Sequence, residues 1–232
     1  MPDKNPSEIS GLYDGIFHCY DAANAFLTLS LDSHWRRAAA RLALASRPER
    51  ILDVCCGTGG MSEELCGLSG GRTAVTGLDF NEAMLSRARA KNPSITFIRG
   101  EADALPFPDG TFDVLTVSFA ARNLNDGGRC LLEYFREFLR VLKPGGTFVN
   151  IETSQPGNPS IRALFHAYVR LMTAMVRRLS PEQRAAYGFL AGTIASFQTR
   201  EQLSEILLAA GFSKVESRPL MFGAIAIHSA VK

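Results

Sequence analysis

Leu52-Asp53-Val54-Cys55-Cys56-Gly57-Thr58-Gly59-Gly60 joins an apolar run to a helical pattern, and the reading of this stretch decides the fold. Arg50–Cys55 suits a short buried strand, and Gly57–Leu68 reads as a turn followed by a helix. Glycines between the two let the backbone turn tightly and approach a ligand with no Cβ in the way. Only Gly57 and Gly59 occupy the usual spaced positions, and Cys55 stands where a first glycine is expected. A Gly-rich loop alone is a weak signal, equally suited to a plain tight turn.

Outward from this loop, strands alternate with helices. Thr73–Leu78, Ile95–Arg99, Phe112–Phe119 and Thr147–Glu152 read as strands, with Asn81–Lys91 and Arg129–Leu142 as helices between them. Leu131, Leu132, Phe135, Phe138, Leu139 and Leu142 recur at helical spacing, and Lys143–Gly146 reads as a turn. The alternation predicts a mostly parallel sheet covered by helices. Ile9–Ser46 reads as helical before it. After Thr153 the alternation stops. Ile161–Leu179 and Pro181–Ile194 read as helices, interrupting the pattern from Gln155 to Gln198. Glu201–Ala210 is a last helix, and Lys214–Pro219 with Phe222–Val231 predicts a closing antiparallel strand pair.

Composition bounds the function. The 232 residues suit one large α/β domain, and 46% hydrophobic with 21% charged residues suits a sizeable core. A net charge of +2 is too near neutral to argue for a nucleic-acid or membrane-surface partner. Met1–Ser10 lacks a signal-peptide pattern and no apolar run reaches a membrane span of about 18 residues, so neither export nor insertion is expected. Five cysteines without metal spacing read as reduced structural thiols of a cytoplasmic chain, and no bound metal is expected.

Two further elements sharpen the loop. Asp79 ends the second strand, where a carboxylate can accept from both ribose hydroxyls; alternatively it caps the next helix, a role for which Asn81 competes. Glu101 and Ala102 follow the third strand. The Glu101 carboxylate can accept from an exocyclic amino group and the Ala102 N–H can donate to a ring nitrogen, which together would read adenine; alone, they also suit a solvated acidic loop. All three elements fall at the carboxyl edge of the expected sheet.

Together, Asp53–Gly59, Asp79 and Glu101-Ala102 resemble the cofactor motifs of class I S-adenosylmethionine methyltransferases. The resemblance sharpens at Arg140–Ser154, which is similar to the signature of the menaquinone/ubiquinone-biosynthesis C-methyltransferases. Tyr20-Asp21, Asn24 and Trp35 match a second signature of that family, and Ser118–Asn123 a third stretch. Ala23 replaces the family's Met, Asp32 replaces its His, and the chain ends without its Arg-Gly-Tyr.

The resemblance implies a Rossmann-like fold with a seven-stranded, mostly parallel sheet, an antiparallel last strand and helices on both faces. It implies one methyltransferase domain over 1–232, with 1–46 as a helical substrate cap and 155–198 as a helical insertion over the active site. It implies S-adenosylmethionine as cofactor, with S-adenosylhomocysteine as product, held by Asp53, Cys55, Gly57, Thr58, Gly59, Asp79, Phe80, Glu101, Ala102 and Ser118. The acceptor it implies is a demethylmenaquinol or related quinol ring; the alternative is another small aromatic or polyketide-like metabolite, methylated at C, O or N. Arg122, Asn123 and Tyr20 are the catalytic residues implied. Arg122 stays protonated, so it holds a water or a phenolate rather than acting as a base; alternatively it pairs with Asp126 or Glu152. A lipophilic substrate allows transient membrane contact by a cytoplasmic protein, and the reading allows a homodimer. Leu164, Phe165, Tyr168, Leu171, Met172, Met175 and Phe189 are candidates to line a tail channel, or else belong to an ordinary core.

Overall fold

The computed structural model describes residues 20–124, 130–179 and 184–232. Seven strands form one sheet: β1 (Arg50–Val54), β2 (Ala74–Asp79), β3 (Thr96–Arg99), β4 (Phe112–Ser118), β5 (Leu142–Thr153), β6 (Lys214–Leu220) and β7 (Ile225–Val231). Their order is β3-β2-β1-β4-β5-β7-β6. The β1–β5 pairings are parallel, while β7 runs antiparallel between β5 and β6. This is the expected sheet, its closing strand pair included. The chain leaves β1 toward one edge and re-enters at β4, so the crevice outside β1 is the topological switch point at which such sheets bind ligands.

Eight helices flank it among the described residues: α1 (Tyr20–Thr28), α2 (Leu31–Ala43), α3 (Gly60–Ser69), α4 (Glu82–Lys91), α5 (Leu131–Val141), α6 (Pro159–Leu179), α7 (Arg184–Ser196) and α8 (Arg200–Ala210). Alternate side chains of β5 feed two cores. Phe148 joins Phe135, Phe138 and Leu207 beneath α5 and α8, whereas Val149 and Ile151 join Ala39, Leu65 and Leu85 beneath α2, α3 and α4. The Phe148 ring lies 5.5 Å from Phe135 and 5.6 Å from Phe138, centre to centre.

The structure corrects three readings. The first helical region is broken between α1 and α2, where Leu29 and Ser30 adopt left-handed φ values of 52° and 60°. The part of that region before Tyr20 lies outside the described residues, as does the start of the expected Pro181 helix. Lys143–Gly146 is not a turn before β5 but a bulge within it, because the register with β4 shifts between Phe112 and Val114. Lys143 holds that bulge through a 2.6 Å ion pair to Asp113, which also accepts from the Glu49 and Arg50 N–H groups at the start of β1. Finally, Phe222 belongs to a 3-10 turn ahead of β7, with its own φ at 55°.

Candidate active site

The three expected ligand loops meet at one rim of the sheet. The Cys56 N–H donates to the Leu78 carbonyl at 3.0 Å, the Gly57 N–H to Asp79 Oδ2 at 2.8 Å, and the Gly100 N–H to the Asp79 carbonyl at 3.0 Å. The ends of β1, β2 and β3 are thus joined through Asp79. Its other oxygen accepts from the Asn81 N–H at 2.9 Å, while Asn81 itself caps α4 by accepting from the Met84 N–H. The capping role belongs to Asn81, so Asp79 keeps lone pairs for a ligand.

The loop after β1 owes its path to three left-handed residues, Cys55, Gly57 and Gly59. Gly59 has φ 84°, and a Cβ there would stand 3.0 Å from the Phe97 ring. Cys55 takes φ 55° despite its side chain, at a cost of about 1–3 kcal/mol. Beneath the loop Asp53 is fully buried, accepting from Ser62 Oγ at 2.6 Å and Thr116 Oγ1 at 2.8 Å. Burial pushes the Asp53 carboxyl up to about 6, opposed by those hydroxyls and by the Arg36 charge. Asp79 is likewise pushed up by burial to about 6, opposed by the N–H groups it accepts. Burial, with Asp79 and Asp53 nearby, also raises the Cys56 thiol, which leaves it protonated and inert.

The loop after β3 is fixed from behind. Glu137 accepts from the Leu105 N–H at 2.7 Å, and Arg140 donates to the carbonyls of Leu105 and Phe107. Both residues lie on α5, and they pair with each other at 2.7 Å. Glu101 is exposed at this edge and Ala102 is buried.

A cavity of about 680 Å³ opens beside the β1 loop. Asp53, Cys55, Gly57, Thr58 and Ser118 line it, as does Arg122. Gly59, Asp79, Phe80, Glu101, Ala102 and Asn123 do not; the first five continue the rim away from it, and Asn123 sits in the 3-10 turn Ala121–Asn123 after β4. The Tyr20 side chain lies outside the described residues. The far walls are apolar and come from α1, α6 and α7, with Leu27, Phe165, Val169, Met172 and Leu190 among them. Of the tail-channel candidates, Leu164, Phe165, Tyr168 and Met172 line the cavity. Leu171 and Met175 do not: they face outward, exposed by 60% and 41%. The Phe189 side chain lies outside the described residues.

Arg122 is pinned. Its Nη1 donates to Glu152 Oε1 at 2.7 Å and to the Phe119 carbonyl at 2.6 Å, and the Arg122 backbone N–H reaches the other Glu152 oxygen. Both side chains of this ion pair are almost fully buried. Glu152 rather than Asp126 is thus the carboxylate seen beside Arg122, and Asp126 lies outside the described residues. His228 is buried against the Arg200 carbonyl and its pKa is lowered by burial, a structural role. No group of three His, Cys, Asp or Glu among the described residues is placed to hold a metal ion.

Sequence reasoning missed Arg36 and Asp32 as cavity residues. Both line it, joined by a 2.6 Å ion pair at helical i,i+4 spacing. That spacing was visible in the sequence, but the face of α2 that carries it was not. Met221 and Phe222, which also line the cavity, were missed because Phe222 reads as the first residue of the closing strand and Met221 as the connection before it.

A model of the ubiE/COQ5 methyltransferase family matches residues 1–232. A demethylmenaquinone methyltransferase from Clavibacter sepedonicus is 37% identical over 232 residues, covering 99% of this chain and 92% of that protein. One from Lactiplantibacillus plantarum is 36% identical over 239 residues, covering 100% and 99%. Among solved structures, a SAM-dependent methyltransferase from Thermotoga maritima superposes with a TM-score of 0.62 at 15% identity, covering 95% of this chain and 99% of that one. Another, from Aquifex aeolicus, gives a TM-score of 0.53 at 20% identity, covering 79% and 81%. These two likenesses establish the fold.

Proposed function

The chain belongs to the ubiE/COQ5 methyltransferase family, and from that premise we propose that it methylates a ring carbon of demethylmenaquinol or a related quinol, with S-adenosylmethionine as donor. The observation that carries this reading is a cavity in which the β1 loop meets apolar walls large enough for a substituted aromatic ring.

The residues at the rim fit the donor. Asp79 has lone pairs left for ribose hydroxyls, Glu101 and the Ala102 N–H lie at the adenine side beyond Phe80, and Asp53 with Cys55, Gly57, Thr58, Gly59 and Ser118 surrounds the methionine end. When bound, S-adenosylmethionine supplies a methyl group on a sulfonium, already activated. The protein must then align the acceptor carbon with it and make that carbon electron-rich. Loss of the neighbouring phenolic proton does the latter. Arg122 cannot take the proton. Held by Glu152 and Phe119, it offers a fixed positive field to the phenolate oxygen, a preorganised form of stabilisation. Asn123, next to it in the turn, orients the water that accepts the proton, and Tyr20 is proposed as the third member of this trio. Residues 1–46 act as the cap over the acceptor and 155–198 as the insertion that walls it.

A quinol with an isoprenoid tail resides in a membrane, and the cavity mouth suits contact with one. Leu29, Leu164 and Phe222 line the cavity and are exposed by 65%, 71% and 84%. Leu171 and Met175 continue from Leu164 along one exposed face of α6, a helix that also carries Arg162, Arg170 and Arg178 and no acidic residue. That combination favours an anionic bilayer surface. No described helix is long and apolar enough to cross a membrane.

The test is transfer of labelled methyl from S-adenosylmethionine to demethylmenaquinol, with the product identified by mass spectrometry. Ring-methylated menaquinol supports the proposal. Transfer only to another small aromatic or polyketide-like acceptor overturns the substrate, and no cofactor affinity at all overturns the donor.

A further inference from the structure

Arg36 lies outside both hydrophobic cores. It stands on α2, and its guanidinium leans across the start of α3, with its atoms 3.6 Å from where a Cβ of Gly60 would be. Nε donates to Ser118 Oγ at 3.2 Å, Nη1 to Asp32 Oδ2 at 2.6 Å, and the group lies over the Phe119 ring at 5.5 Å. Among the described residues no hydrogen bond is made by Nη2. Three elements therefore fix the plane of this cation: α2 through Asp32, the end of β4 through Ser118 and Phe119, and the bare Gly60 backbone. It lines the cavity together with Asp53 and the Cys55–Thr58 loop, and only 19% of its side chain is exposed.

A guanidinium withdrawn this far from water and turned into a cavity needs an anion there. Asp32 balances its charge but engages only one of its terminal nitrogens. On the reading that S-adenosylmethionine binds at this rim, the group at the end of the ligand nearest the β1 loop is an α-amino acid, whose carboxylate matches the planar fork of an arginine. We infer that Arg36 binds the α-carboxylate of the donor and thereby selects adenosyl compounds that carry the complete amino-acid end. Asp32 is the positioning residue that keeps the fork facing the cavity. Ser118, held by Nε, is brought to the same end of the ligand.

The inference separates from the cofactor reading by choice of ligand. S-adenosylhomocysteine has the carboxylate, whereas methylthioadenosine keeps the adenosine and thioether and lacks it. Calorimetric titration of both into the intact protein, wild type and Arg36→Met, reads the difference without any turnover. A charge-assisted hydrogen bond is worth about 1.5–3 kcal/mol, so Arg36→Met is expected to weaken S-adenosylhomocysteine about 10- to 150-fold. Methylthioadenosine affinity should stay at the wild-type value. Asp79→Ala, by contrast, weakens both ligands. Arg36→Lys keeps the charge without the fork; it is expected to lose part of the S-adenosylhomocysteine affinity and none for methylthioadenosine, and it carries the test if the Met variant fails to fold. Equal loss for both ligands, or no loss for either, overturns the assignment of Arg36. A wild-type protein that binds neither ligand overturns the cofactor reading itself, and this inference with it.

Discussion

At the scale of single residues the site is a set of buried charges held by specific partners, and two predictions follow from their physics. Burial raises Asp53 and Asp79 from an ordinary 3.8 to about 6. Both folded values lie above the unfolded ones, so the folded chain holds more protons between about pH 4 and pH 6, and apo stability falls as pH rises through that window. Ligand affinity moves the opposite way. In the proposed site a ribose hydroxyl would donate to an ionised Asp79, so S-adenosylhomocysteine should bind more weakly as pH falls below about 6. Urea melts and titrations at about pH 5 and about pH 7.5 check both slopes; Asp79→Asn should flatten the binding slope and remove only the Asp79 share of the stability slope, since Asp53 keeps its own. The second prediction concerns Arg122 and Glu152, exposed by only 6% and 1%. Removing one member strands the other charge, so Arg122→Met alone should cost about 3–5 kcal/mol of stability. The double variant Arg122→Met with Glu152→Gln should recover most of that loss in denaturant melts while methyl transfer stays slow. If the double variant transfers methyl at the wild-type rate, Arg122 has a purely structural role.

At the scale of elements, the cavity depends on how α1 and α6 are joined across it. The Tyr168 hydroxyl donates to the Leu27 carbonyl at 2.8 Å, a link spanning 141 residues of sequence, and burial raises its pKa. Leu27 lies near the end of α1, where the chain turns into α2 through two left-handed residues, so this carbonyl needs a partner from outside its own helix. Tyr168→Phe should cost about 0.5–1.5 kcal/mol and act locally. Hydrogen exchange should quicken in α1 and leave the β1 and β4 amides unchanged; equal quickening everywhere would show that the link serves global stability instead. The strand pattern was legible here because periodicity and turn residues are local properties. The break at Leu29-Ser30 was not, since both residues have ordinary side chains and take left-handed backbone for tertiary reasons. Nor was the bulge at Lys143–Gly146, whose Pro-Gly-Gly sequence reads equally well as a turn.

At the scale of the whole molecule, one surface of the sheet edge combines a ligand rim, an apolar cavity and an arginine-bearing helix whose exposed stripe is Leu164, Leu171 and Met175. Co-sedimentation with anionic vesicles should retain the wild-type protein, release it at high salt, and fail for Leu164→Glu with Leu171→Glu; unchanged binding of that variant would remove α6 from the membrane surface. The sequence by itself determined the order of elements, the loops that meet at the carboxyl rim of the sheet and the family, because hydrophobic period, turn chemistry and short motifs are written in contiguous residues. Asp79 in particular could be assigned to the rim, since a carboxylate at a strand end is recognisable from its neighbours alone. Tertiary structure decided the rest: that Glu152 holds Arg122 from 30 positions away, that Arg36 reaches Ser118 across 82, and that Leu171 turns outward while Met172 turns in. Such pairings arise from the packing of α2 against the sheet and of α6 against α1 and α7, and the free energy that selects them comes from contacts between residues that no local pattern relates.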